Sequence, residues 1–209
     1  MGRLQSFDRT TVVQAARDLF WDKGFDAASL AELEDATGLK RSSIYHAFGS
    51  KRGLFDAAVE DYQATVIRPR LRTLTGTGIG RASLLAYFAE LRSAVSALPE
   101  DSPRRGCLLV NCAAGLAGHD DLARQVVDGY RSDLTTALQD ALRAAETAPG
   151  TTPGTTPVTA PDPAAERART LASLGLSAML LARVNATESV ALLDTAMDQI
   201  RSWFPGEPG

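Results

Sequence analysis

The chain has 209 residues, 44% of them hydrophobic and 22% charged, with a formal net charge of −3. That composition suits a folded protein with one small and one larger unit, and it excludes a disordered chain. A polar N-terminus, no run of roughly 18 apolar residues, and only two cysteines, Cys107 and Cys112, set the expectations: no secretory leader, no membrane span, a reducing cytoplasm. The negative total argues weakly against nucleic-acid binding, but charge is unevenly spread. Between Ala36 and Phe55 there is no Asp or Glu, while Lys40, Arg41, Lys51 and Arg52 all fall inside that window.

In chain order, Val12, Ala16, Leu19 and Phe20 recur at helical spacing and predict an amphipathic helix over about 10–23, stopped by Gly24. Ser29 with Glu32 three residues on forms a capping-box pattern. It opens a short helix over 30–37, with Leu30 and Leu33 inward and Gly38 as its end. A second short helix over 41–48 presents Ile44, Ala47 and Phe48 on one side and ends at Gly49 and Ser50. Ser50 is placed to cap a fourth helix running toward Pro69. After a Gly/Thr-rich loop, helices are predicted at about 81–97, 106–118 and 121–147. Residues 148–163 hold five prolines in sixteen positions and read as a flexible loop. Two final helices follow, over about 164–185 and 187–204. Leu171, Leu174, Ala178, Leu181 and Asn185 form one seam, and Val190, Leu193, Met197, Ile200 and Phe204 another, both suited to helix-on-helix packing. No strand pattern competes, so the fold class is all-α.

A short helix, a glycine turn and a second short helix inside a three-helix unit make a helix-turn-helix. The second helix fits the major groove, and its exposed face would be Arg41, Ser42, Tyr45 and His46, all able to hydrogen-bond to bases or phosphates.

Over about residues 8–60 the chain resembles the TetR family of bacterial regulators. The features are Gly24-Phe25, Ser29, Gly38, and the run Tyr45-His46-Ala47-Phe48-Gly49-Ser50-Lys51 leading to Leu54-Phe55. The resemblance implies a helix-turn-helix DNA-binding unit over 1–52 and a helical effector-binding and dimerisation unit over 53–209. It implies phosphate contacts from Tyr45 and Lys51, and base contacts from Arg41, Ser42 and His46. Ser29 and Lys40 are expected on the same DNA face. Two residues depart from the family pattern. Glu34 stands where a small residue is usual between the two helices, so its carboxylate must reach solvent or a cation, or the helix crossing must shift. Lys40 stands where Ser often caps the recognition helix; it cannot cap, but it can reach a phosphate.

The resemblance further implies a homodimer built from the last two helices. The seam residues Leu171, Leu174, Ala178, Leu181, Val190, Leu193, Met197 and Ile200 are the expected interface, with packing inside the chain as the other reading. A two-fold dimer would read a palindromic duplex operator. By residue type and helix position, Tyr62, Phe88, Arg92, Cys107, Asn111 and Tyr130 are candidates to line a small-molecule effector pocket. Tyr87 and Arg183 are further possibilities of the same kind. A family subgroup carries a Gly-Cys-Leu run where this chain has Gly106-Cys107-Leu108, and some relatives sense electrophiles or oxidants there. Arg104 and Arg105 precede Cys107 and could lower its pKa; the alternative is two ordinary buried thiols. His119-Asp120-Asp121 reads as a helix cap rather than a metal fragment. No cofactor, metal site or catalytic constellation is expected. The competing function is an interaction module that has lost operator binding, which Glu34 would favour.

Overall fold

The computed structural model describes residues 7–99, 102–147 and 162–205, and every regular element among them is helical. Helix α1 spans Arg9–Ala27 and breaks at Gly24, whose positive φ of 77° ends its first straight segment. Asp8 caps it, accepting from the Thr10 N–H. Helix α2 (Leu30–Thr37) begins with the predicted capping box and ends at Gly38 in the left-handed conformation. Helix α3 spans Arg41–Phe48 and α4 spans Lys51–Tyr62. These four close around Ala16, Phe20, Leu33, Ile44, Leu54 and Phe55, all buried.

The predicted helix toward Pro69 does not run evenly. After Tyr62 it widens into a π turn over Gln63–Ile67 before resuming as α5 (Arg68–Leu71) and a short tighter turn, Arg72–Leu74. Proline has no N–H and its ring clashes with the carbonyl four residues back, so the wider turn lets the chain pass Pro69 without ending the helix.

Helix α6 covers Arg81–Ala97, α7 Leu108–Ala114, α8 Asp121–Glu146, α9 Pro163–Leu181 and α10 Ala186–Trp203. The helix expected over 106–118 is shorter: it starts after Cys107 and stops at Gly115, with a separate turn at Leu116–Gly118. The proline-rich loop lies almost wholly outside the described residues, and Pro163 already opens α9 with Asp162 as its cap.

Helix α10 packs on α6 and α9, and α9 also packs on α8. This arrangement corrects the interface expectation at five of its eight residues. Leu171, Ala178, Leu193, Met197 and Ile200 are buried in the chain's own core, while Leu174, Leu181 and Val190 are half-buried at its edge. Neighbouring helices of the same chain cover most of the apolar stripes of the last two helices. The outward face carries Thr170, Ser173, Ser177 and Leu180 of α9, with Leu174 and Leu192 half-buried beside them and Val184 exposed just past the end of α9.

Candidate nucleic-acid interface

Helix α3 is divided cleanly. Ile44 is fully buried, Ala47 and Phe48 are half-buried, and Arg41, Ser42, Tyr45 and His46 face solvent. Tyr45 is 39% exposed, far more than a core aromatic, and the Arg41 guanidinium lies 5.5 Å from its ring centroid. Lys40, at the start of the helix, is exposed and makes no side-chain cap bond. The missing cap is supplied from α2: Glu34 Oε1 accepts from the Arg41 N–H at 2.6 Å. The two departures from the family pattern therefore compensate each other.

Ser29 is exposed, but its hydroxyl is engaged as the α2 cap, accepting from Glu32 N–H and donating to Glu32 Oε2 at 2.8 Å. Glu32 also pairs with Lys23. That contact, followed by the Ser29 N–H and hydroxyl, holds its carboxyl down to about 2. Lys51 is half-buried; its ammonium lies 4.6 Å from the Phe25 ring centroid and donates to the Asp26 carbonyl at 3.5 Å. It thus ties the start of α4 to the end of α1.

Two residues escaped the sequence reading. Arg9 donates to the Ala47 carbonyl at 3.4 Å and lies over the Phe48 ring, 4.5 Å from its centroid. Gly53 lets α4 start directly beneath α3: a Cβ there would fall 1.9 Å from the Phe48 carbonyl oxygen. Both contacts depend on how the helices cross. The glycine had a local signal only in its place one turn into a capped helix, where glycine is otherwise disfavoured.

Residues 12–58 match the family model described as bacterial regulatory proteins, tetR family. The repressor BdcR of Escherichia coli K12 is 32% identical over 139 residues, which cover 66% of this chain and 68% of BdcR. The chain belongs to the TetR family. A second repressor of the same organism, ComR, is 32% identical over 53% of this chain and 51% of its own length. Among solved structures, a cysteine mutant of the TetR-family regulator CifR complexed with a 26-base-pair operator duplex is 27% identical, with a TM-score of 0.75. That likeness covers 94% of this chain and 98% of CifR.

As in a TetR-family chain, the helix-turn-helix sits on a larger helical body, and several side chains tie them together. Arg17 joins Asp61 at 2.7 Å and Arg104 joins Asp18 at 2.6 Å. Arg183, near the end of α9, donates to the Trp21 and Asp22 carbonyls, each at 2.5 Å. Asn111 donates to the Trp21 carbonyl at 3.5 Å, and Arg52 pairs with Asp56 at 2.7 Å and with Asp120. Asp120 also caps α8, accepting from the Ala123 N–H at 2.8 Å.

The expected effector residues divide. Tyr62, Phe88, Cys107 and Tyr130 are buried together with Tyr87 in the body's core. The Trp21 ring packs edge-on against Tyr62, centroids 4.8 Å apart, so this core touches α1 directly. Arg92 is a correction: it lies on the surface and bridges α6 to α10 through Asp194 at 2.8 Å. Arg183 and Asn111 instead tie α9 and α7 to α1. Burial pushes both thiols up, Cys112 to about 12. Arg104 and Arg105 do not counter this at Cys107, because one pairs with Asp18 and the other donates to the Leu98, Pro99 and Ala182 carbonyls. In this state they are ordinary buried thiols.

An open cleft of about 270 Å³ lies elsewhere, between α4, α7 and α8. Phe55 and Val59, Leu109 and Cys112, and Leu122, Ala123, Val126 and Val127 line it, with Arg52, Asp56, Glu60 and Gln63 along one rim. None of the six residues expected at an effector site takes part. Among the described residues, no group of three or more His, Cys, Asp or Glu is arranged to hold a metal ion, and no helix is long and apolar enough to cross a membrane.

Proposed function

We propose that this chain is a transcriptional repressor that lays α3 in the major groove of operator DNA and is released by a small molecule bound in its helical body. The observation that carries this reading is α3 itself. It is capped at its start by Glu34, clamped at its end by Arg9 and Gly53, and turns four hydrogen-bonding side chains, Arg41, Ser42, Tyr45 and His46, outward. Operator DNA in the CifR complex, and the repressor names of BdcR and ComR, support the same function. Arg41 is suited to a guanine edge, Ser42 and His46 to neighbouring bases, and Tyr45, Lys40 and Lys51 to phosphates. The cytoplasm, where operator DNA lies, is its place of work.

A repressor of this kind reads a palindrome as a homodimer, with recognition helices roughly 34–36 Å apart. The outward face of α9, with Leu192 of α10 beside it, suits the second copy. Ser173 and Ser177 are small enough for close helix approach, and Leu180 and Val184 are apolar and exposed. The rival reading, a module that lost operator binding, loses its support, because Glu34 organises α3 rather than disrupting it.

The test is fluorescence anisotropy of the full chain on the duplex upstream of its own gene. Arg41→Ala is expected to relax base preference, losing about 1–3 kcal/mol of discrimination at one position. Lys51→Ala is expected to weaken all duplexes alike and flatten the salt dependence. Equal loss of selectivity from both variants contradicts these roles.

A further inference from the structure

We propose that the cleft between α4, α7 and α8 is a binding site for a small hydrophobic amine. Its floor is Phe55 and Val59 of α4, and its opposite wall is Leu122, Val126 and Val127 of α8. At about 270 Å³ it falls just below the usual ligand-site range of roughly 300–1,000 Å³, which suits a small guest. Leu122 is 62% exposed at the mouth, an apolar cost in water that an apolar guest would remove.

The rim decides the sign of the guest. Arg52, Asp56 and Glu60 follow one another along α4 at helical spacing, and Gln63 opens the π turn just beyond. The single guanidinium is shared by two carboxylates, Asp56 and Asp120. Glu60 pairs with no cation among the described residues. Among the residues lining the cleft, the two carboxylates Asp56 and Glu60 outnumber the one guanidinium, which Asp120 outside the lining also engages, so an ammonium balances the rim, whereas a carboxylate ligand would add to the repulsion. A hydrocarbon tail against Phe55, Val59 and Val126 with an ammonium at Asp56 and Glu60 satisfies both halves of the site. The guest would also wedge α4 away from α8, beside the Arg52–Asp120 link that ties the DNA-reading unit to the body. Only this last consequence rests on the repressor reading; binding itself does not.

The experiment is titration calorimetry of the full chain, without DNA, using octylamine, octanol and octanoate. Octylamine is expected to bind one to one, about tenfold tighter than octanol, with octanoate weakest. Glu60→Gln should remove most of the amine's advantage over octanol, and Val126→Trp should abolish binding of all three by filling the cleft. If Val126→Trp does not keep the wild-type melting profile, Leu122→Ser, at an exposed position, carries the test and should weaken octylamine several-fold. No octylamine binding, octanoate binding as tightly as octylamine, or both cleft variants binding octylamine like wild type would overturn the proposal. Operator anisotropy with octylamine is read separately: binding in the cleft without any change in operator affinity leaves this site standing and contradicts ligand release.

Discussion

Glu34 Oε1 accepts a hydrogen bond from the Arg41 backbone N–H at 2.6 Å. The first N–H groups of a helix have no partner inside it, and Lys40 offers no acceptor at the cap position. A carboxylate brought in from α2 answers that need and adds a favourable charge at the positive end of the helix. Glu34→Ala should therefore cost about 1 kcal/mol in urea denaturation and weaken operator binding. The double variant Glu34→Ala with Lys40→Ser should recover most of the stability, because serine supplies its own cap. No recovery in that pair would mean that Glu34 acts otherwise.

Gly53 predicts a larger effect. With a Cβ placed 1.9 Å from the Phe48 carbonyl oxygen, backbone has to move, and no side-chain rotation can relieve the clash. Gly53→Ala should lose about 1–3 kcal/mol of stability, the usual range for overpacking, despite alanine's better helix propensity. Because the displaced element is α3, operator affinity should fall further than the stability loss alone explains. A thermal melt and an anisotropy titration on the same preparation check both.

The thiols should be inert in the resting protein. Burial raises both above their ordinary value, so at neutral pH they are protonated, and the thiol is a poor nucleophile. Iodoacetamide is expected to label neither Cys107 nor Cys112 in the native chain at neutral pH and both in urea, read by mass spectrometry. Rapid native labelling of Cys107 would revive the electrophile-sensing reading.

Much of the helix-turn-helix was legible because its signals are local. The Ser29–Glu32 capping box, the left-handed Gly38 and the inward Ile44 each follow from residues within one turn of one another. What the sequence could not show are relations between helices. Glu34 was noticed as an oddity, but its partner is seven positions away across a turn. The stripes at Leu171–Ala178 and Leu193–Ile200 were legible as apolar faces, yet periodicity is blind to whether a neighbour belongs to the same chain or another. Here α8 and α10 cover the first, and α6 and α9 the second. Arg92 and Arg183 were singled out by residue type and helix position, and arginine's long stem lets it serve a surface bridge or a backbone clamp equally well.

Acid should loosen the link between the DNA-reading unit and α8. The Arg52 guanidinium, and after it the Ala123 N–H, hold the Asp120 carboxyl below its ordinary range. A carboxyl depressed in the folded state stabilises it fully above its unfolded pKa, about 3.9, and that contribution disappears as pH falls through the folded value. Between neutral pH and about pH 3, wild type should thus lose more melting temperature than Asp120→Asn, which keeps the α8 cap but no charge. Equal losses would show that the pair contributes nothing.

The central claim, that two copies of α3 read one duplex, is tested most directly by hydroxyl-radical footprinting of the DNA upstream of the chain's own gene. The account predicts protected patches related by a two-fold axis, with centres about one helical turn or a multiple of it apart, and their loss in Tyr45→Ala. A single unpaired patch, or protection that is the same on a scrambled duplex, would contradict it.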